Sequence, residues 1–312
     1  MPMTIDTIND LMSDCTLCPR RCHADRLSGQ VGFCGQTAEL KAARAALHYW
    51  EEPCISGTST SGAPGSGTVF FSGCSLQCVF CQNHNIATGK AGRLISIERL
   101  AEIFLELQYK GAANINLVTG THFIPQIAHA LRAAKAQGLI IPIVYNTGSY
   151  EEISSLRLLE GLIDIYLPDL KYVSPELSAK YSHAKDYFDA ASAAIAEMYR
   201  QVGSPVIDPD TGLMKRGIIV RHLLLPEAAK DSKKVLRYLY ETYKNDIFVS
   251  IMNQYTPLEH TALLPPLNRE VAEAEYQRVL TFADRLGIEQ GFYQEGGTVS
   301  ESFIPDFNGE GL

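Results

Sequence analysis

The sequence is poor in positive charge. Its 27 lysines and arginines face 35 aspartates and glutamates, giving a formal net charge of −8 and a pI near 5.5. A broad basic face for nucleic acid is therefore not expected, since such a face must match phosphate charge. No apolar run reaches the roughly 18 residues that a helix needs to cross a bilayer, so no membrane span is expected. The opening MPMTIDTINDLMSDC has no basic stretch followed by an apolar one, and no signal peptide is expected. These absences lead us to expect a cytoplasmic protein. There is no internal repeat, and low complexity is confined to SGTSTSGAPGSG (56–67), which reads as a loop or linker.

What is present is ordinary globular composition, 312 residues at 46% hydrophobic and 20% charged. Such a chain can bury a large core without disulfide staples. Cysteine is the exception. Cytosolic chains rarely keep disulfides, so clustered cysteines point to metal or redox chemistry. Cys15, Cys18, Cys22 and Cys34 form one group, Cys74, Cys78 and Cys81 another, and Cys54 stands alone.

Residues 1–67 read as a small irregular module. From 68 onward, short apolar runs alternate with helical periodicity. Strands are expected at TVFFS (68–72), INLV (115–118), IIPIVYN (140–146), LIDIYL (162–167), IIVRHLLL (218–225), IFVSIM (247–252) and a short GFYQ (291–294). Helices are expected over 96–110, with Ser96 as cap and Gly111 as stop, and near 123–137, 151–160, 175–202, 227–242 and 269–286. SPVIDPDTGLMKRG (204–217) reads as a turn or short hairpin. Buried strands alternating with helices make βαβ units and a parallel sheet. The fold class is therefore α/β. We expect a partial (β/α)6 barrel with a C-terminal extension over 68–312, preceded by a cysteine-rich metal-binding module and linker over 1–67. In such barrels chemistry gathers where strands end.

GCSLQCVFCQN (73–83) follows the first barrel strand. Three thiolates on one loop suit an iron–sulfur cluster better than structural zinc, because a cubane has four irons and three thiolates leave one open. A zinc site completed by His84 is the alternative. The run Cys74-Ser-Leu-Gln-Cys78-Val-Phe80-Cys81 resembles the C-x3-C-x-φ-C signature of the radical S-adenosylmethionine superfamily, with Phe80 as the aromatic φ. The resemblance implies a [4Fe–4S] cluster whose open iron takes the amino and carboxylate groups of S-adenosylmethionine. It implies reductive cleavage to a 5′-deoxyadenosyl radical, hydrogen abstraction from a substrate, and an electron donor such as flavodoxin or ferredoxin. Further stretches, C-x2-C-P-R-x-C with G-x-C-G, EEPCISG (51–57), FFSGC (70–74) and QN after Cys81, resemble the subgroup similar to pyruvate formate-lyase activating enzyme. Known activators take hydrogen from a glycine of a partner protein. A protein-directed activase or modifying enzyme is thus the first expectation. A radical enzyme on a small molecule is the second, and a non-catalytic iron–sulfur carrier the third.

The resemblance also implies roles at other strand ends. In LVTGTHF (117–123), Gly120 would meet the amino group of S-adenosylmethionine, helped by Thr119 and Thr121. A plain turn with Thr121 as helix cap is the alternative, and His122 serves structure as readily as a pocket. In YNTGSYE (145–151), Asn146 and Ser149 would reach the ribose or carboxylate, or cap a helix. Asp169-Leu-Lys171 matches the D-x-K beside S-adenosylmethionine in glycyl-radical-activating enzymes, so both residues are candidates for catalysis and cofactor binding. Both side chains are expected to reach the pocket only if the chain bends after Pro168 and Asp169. A surface ion pair is the alternative. Arg221 and His222 point to opposite faces of a strand, so one enters the barrel. Arg221 suits a carboxylate, or pairs with a core acid. Asn253, Gln254 and Tyr255 would face a substrate at the end of the sixth strand, and Gln294 and Glu295 lie near the open barrel edge. Cys15, Cys18, Cys22 and Cys34 make a second metal site: an auxiliary iron–sulfur cluster, a rubredoxin-like mononuclear iron, or zinc. Known activators place extra clusters after the radical motif, and here the set precedes it. Cys54 reads as a small buried hydrophobe rather than a reactive thiol near the site, and Glu51 and Glu52 as solvated surface rather than groups acting at the barrel mouth.

Overall fold

The computed structural model describes residues 4–57, 62–294 and 305–312. Glu295 and residues 58–61 of the linker lie outside them. In chain order the elements are α1 (Ile5–Ser13), β1 (Lys41–His48), α2 (Pro53–Ser56), β2 (Ser66–Phe71), α3 (His84–Ala87), β3 (Arg93–Leu94), α4 (Ile97–Tyr109) and β4 (Ile115–Val118). There follow α5 (Ile124–Ala136), β5 (Ile143–Thr147), α6 (Ile153–Arg157), β6 (Ile165–Pro168), α7 (Pro175–Ser182) and α8 (Tyr187–Val202). The chain then runs through β7 (Val206–Ile207), β8 (Met214–Leu223), α9 (Ala229–Tyr243), β9 (Phe248–Met252), α10 (Glu273–Leu286) and β10 (Gly291–Tyr293).

The main sheet has the order β10-β9-β8-β6-β5-β4-β2-β1-β3. From β2 to β10 every neighbouring pair is parallel. Helices cover the outer face, so the strands are buried on both sides, as their unbroken apolar runs require. The order does not close on itself, which makes the α/β architecture a partial barrel. The hairpin read at 204–217 is present: β7 pairs antiparallel with β8. Among the described residues no helix is long and apolar enough to cross a membrane.

Local chemistry explains the helix ends. Ser96 caps α4 by accepting from the Arg99 amide at 3.1 Å, and Leu100, Ile103, Phe104 and Leu107 bury one face. The expected single helix over 175–202 is two. His183 adopts left-handed backbone (φ +55°) and ends α7, and α8 restarts at Tyr187. Periodicity runs through this break, so it left no trace in the apolar pattern.

The N-terminal segment contributes regular structure too. β1 pairs antiparallel with β2 and extends the sheet. Next, α2 drops beneath the barrel. Its Cys54 and Ile55 pack with Val144, Ile165, Leu167 and Ile219, the inward side chains of β5, β6 and β8. Cys54 is thus the small buried hydrophobe expected, and burial pushes its thiol up to about 12. At the other end of the chain, Gly309 and Ala45 exchange backbone bonds with Ala43 and Glu310, and Phe307 meets Phe70 edge-on at 5.3 Å. Ile55 is fully buried. Ile55→Ala should therefore destabilise the protein by about 2–5 kcal/mol, measured by urea unfolding. A loss under about 1 kcal/mol would mean that α2 is not part of the core.

Candidate active site

The strand ends converge on a cavity of about 270 Å³. Cys74, Cys78 and Cys81 line it together with Asn146, Asp169, Lys171 and Arg221. The cysteine loop can lie there because Gly73 takes φ +91° and has no side chain. A Cβ would stand 2.6 Å from the Cys34 carbonyl oxygen. Across the cavity Thr119, a β-branched residue, holds φ +60° with its amide bonded to the Asn146 carbonyl at 2.9 Å. Such a conformation is costly and persists only where the surroundings impose it.

Asp169 and Lys171 both line the cavity, where the chain leaves the end of β6. The Tyr187 hydroxyl accepts from the Lys171 amide at 3.0 Å and donates to the Asp169 carbonyl at 2.8 Å. The two side chains form an ion pair. Burial opposes the charge on Lys171, but Asp169 and the neighbouring Cys78 outweigh it and raise its pKa.

Arg221 enters the barrel and His222 leaves it. The guanidinium is paired with Glu52 through two of its nitrogens and with Glu51 through one. Glu51 also accepts from Asn116 Nδ2 at 2.8 Å. The expectation that these two glutamates are solvated surface is therefore wrong: their side chains are 8% and 6% exposed. Burial raises the Glu52 carboxyl, but Arg221 outweighs it and the net shift is downward. The only warning in the sequence was a pair of acids directly before a Pro-Cys that starts a buried helix.

Other expected residues are near but not in the lining. Gly120 faces away, where a Cβ would meet Ile127 at 2.5 Å, while Thr119 and Thr121 line the cavity. Ser149 is fully buried, with Gly148 and Tyr150 lining on either side. Phe80 lines an adjoining cavity of about 170 Å³ with Cys78, Cys81, Asp169 and Lys171. His122 is buried and lowered to about 3 by desolvation and by Arg26, and its neutral ring donates through Nε2 to the Ser72 carbonyl at 2.7 Å. Gln254 lines the cavity. The Asn253 amide bonds Gln294 at 2.8 Å, and the Tyr255 hydroxyl donates to the buried Leu267 carbonyl. His48, Trp50 and Pro305 also wall the cavity and carried no signal in the sequence.

In the N-terminal set Cys15, Cys18 and Cys34 are buried and Cys22 is exposed. Burial pushes the Cys18 thiol up to about 12. Arg26 fastens the loop, donating to the Thr37 and His122 carbonyls at 2.7 Å each. Among the described residues no three His, Cys, Asp or Glu side chains are gathered closely enough to hold a single metal ion. A cubane takes one thiolate per iron. Its thiolates need a common space rather than a common point, and the cavity shared by Cys74, Cys78 and Cys81 meets that condition.

Residues 68–217 match the family model of the Radical SAM superfamily. That superfamily uses a [4Fe–4S] cluster and S-adenosylmethionine. An uncharacterized protein of Methanocaldococcus jannaschii is 26% identical over 298 residues, covering 93% of this chain and 80% of its own length. Among solved structures, methylornithine synthase (PylB) superposes with a TM-score of 0.48 at 15% identity, over 70% of this chain and 63% of that one. SuiB of Streptococcus suis bound to precursor peptide SuiA gives 0.47 at 14%, over 72% and 46%. The enzyme anSMEcpe with bound AdoMet gives 0.48 at 15%, over 69% and 57%. The chain spans less than two thirds of the length of each of these three structures.

Behind the cavity, the hydroxyls of Thr121, Thr147 and Tyr145 all donate to Glu151 Oε1, and Oε2 has no partner among the described residues. Desolvation raises this carboxyl from 4.5 to about 7. The folded protein therefore holds a proton that the unfolded chain loses, and the stability this gives is fully present below about pH 4.5 and lost as pH rises through about 7. Glu151→Gln removes the dependence. Its stability relative to wild type should rise by on the order of 2–3 kcal/mol between pH 5 and 8 in urea unfolding. An identical difference at both pH values would show that Glu151 is already ionised.

Proposed function

We propose that this protein is a radical S-adenosylmethionine enzyme that cleaves its cofactor reductively and abstracts hydrogen from a substrate. The observation that carries the reading is that three thiols, a carboxylate–ammonium pair and the Asn146 amide line one cavity. Cys74, Cys78 and Cys81 would hold a [4Fe–4S] cluster, which supplies the electron that cleaves the sulfonium. A flavodoxin or ferredoxin would deliver that electron.

The chain's own groups divide the remaining work. Lys171 and Asp169 carry opposite charges and suit the carboxylate and ammonium of a methionyl group. Asn146 and Thr119 offer hydrogen bonds from the facing strand ends. Gly120 and Ser149 would act from behind, by letting those ends pack closely. Phe80 covers the side of the cysteine loop. Arg221 is already neutralised by two acids. We therefore assign it to holding Glu51 at the cavity floor rather than to binding a free carboxylate. Cys15, Cys18, Cys22 and Cys34 would form a second metal site, an iron–sulfur cluster ahead of mononuclear iron or zinc.

The likeness of Asp169-Leu-Lys171 to the D-x-K of glycyl-radical activators supports a protein-directed activase or modifying enzyme. One observation favours the second reading, a small-molecule substrate: His48, Trp50 and Pro305 wall the cavity from the two ends of the chain. Anaerobic reconstitution of wild type and a Cys74/Cys78/Cys81→Ala variant tests the proposal. Wild type should form 5′-deoxyadenosine with dithionite and the variant none, with about four fewer irons. The iron left in the variant reports the N-terminal set: about four for a cubane, about one for a rubredoxin-like site. A wild type that binds iron and sulfide yet never forms 5′-deoxyadenosine removes the main support for the catalytic reading and leaves a missing substrate or a carrier role to be tested.

A further inference from the structure

The two cysteine-bearing loops are stitched to one helix end. α7 stops at Ser182, and its last carbonyls have no helical partners. The Val79 amide takes that of Tyr181, and Arg20, between Cys18 and Cys22, takes the next two. Its Nη2 donates to the Ser182 carbonyl at 3.2 Å and its Nη1 to the His183 carbonyl. Its Nε donates to the Ser75 carbonyl at 2.9 Å, one residue beyond Cys74. The Phe33 ring lies over the guanidinium, 3.9 Å from its carbon. The cation also sits at the negative end of the α7 dipole. A second stitch runs beside the first, from Gln77 Nε2 to the Phe33 carbonyl at 2.6 Å.

This clamp fixes the Ser182 hydroxyl. Ser182 is fully buried, with Oγ 3.0 Å from Cys78 Sγ and 3.1 Å from the Tyr172 hydroxyl. A metal-bound thiolate has no proton to give. The direction of the chain is then set: Ser182 donates to the sulfur and Tyr172 donates to Ser182. Hydrogen bonds to sulfur are among the factors that set an iron–sulfur potential, because they stabilise the more negative reduced state.

We propose that Ser182 is a positioning residue for the Cys74/Cys78/Cys81 centre, that its bond to Cys78 raises the potential at which the centre accepts an electron, and that Arg20 of the N-terminal cysteine loop holds it there. The N-terminal set thus acts on the catalytic centre mechanically, through a hydrogen bond at Cys78. This rests on the radical S-adenosylmethionine reading of the site.

The test is an EPR-monitored redox titration of reconstituted full-length protein, following the signal that changes when S-adenosylmethionine is added. Ser182→Ala and Arg20→Gln should both move the midpoint to lower potential. An intact signal at wild-type potential in Ser182→Ala overturns the proposal. A shift in Ser182→Ala without one in Arg20→Gln overturns the role of Arg20. If Ser182→Ala loses the cluster, Tyr172→Phe decides, since it leaves Ser182 in place. A lower potential there supports the chain of hydrogen bonds and an unmoved one overturns it. A wild type with no responsive signal defeats the site reading and this proposal with it, whereas a responsive signal with unmoved potentials defeats this proposal alone.

Discussion

A guanidinium inside a barrel cannot be stripped of water and left alone. Arg221 stands on the inward face of β8, and Glu51 and Glu52 come to it from the turn between β1 and α2. That requirement orders much of the molecule. To deliver both acids, the N-terminal segment must pass beneath the strands, which places Ile55 and Cys54 against the inward side chains of β5, β6 and β8 and seals the floor. The space left open lies at the other ends of the strands, where the cysteine loop sits. Arg221 is also bridged through its backbone to Asp169, so the strand that anchors the acids helps set the end of β6.

Charge in the cavity is therefore layered. At the floor, two carboxylates and one guanidinium leave an excess of negative charge. Nearer the thiols, Asp169 and Lys171 balance each other. The walls between are hydrogen-bonding groups on strained backbone, Thr119 above all. Strain of that kind survives only because buried strands on either side allow no other path. The hydroxyls that donate to Glu151 tie two of the lining loops together from behind. The site is thus built on rigid sheet ends, with its polar groups supported from outside the cavity.

The position of the cysteine loop was legible in the sequence, because spacing within eight residues and a preceding apolar run are local facts. The alternation of buried strands and helices was legible for the same reason, and it fixes a parallel sheet through the need to cover both faces. The D-x-K pair was legible, although the Tyr187 hydroxyl that bridges its backbone lies sixteen residues beyond Lys171. The break between α7 and α8 was not legible. Apolar periodicity continues across it, and the left-handed turn at His183 is stabilised by an arginine from the N-terminal loop. Glu51 and Glu52 were misjudged because adjacent acids are surface residues unless a distant cation claims them.

By itself, then, the sequence determined where the cysteines cluster and which segments could be buried, since both follow from residue type and short-range spacing. Tertiary structure alone decided which charges are buried and which hydroxyl meets a thiol. Arg221 and Glu52 are 169 residues apart, and Cys78 and Ser182 are 104 apart. Such partners become neighbours only when the sheet assembles, because desolvating one of them stabilises the fold only if the other arrives in the same place.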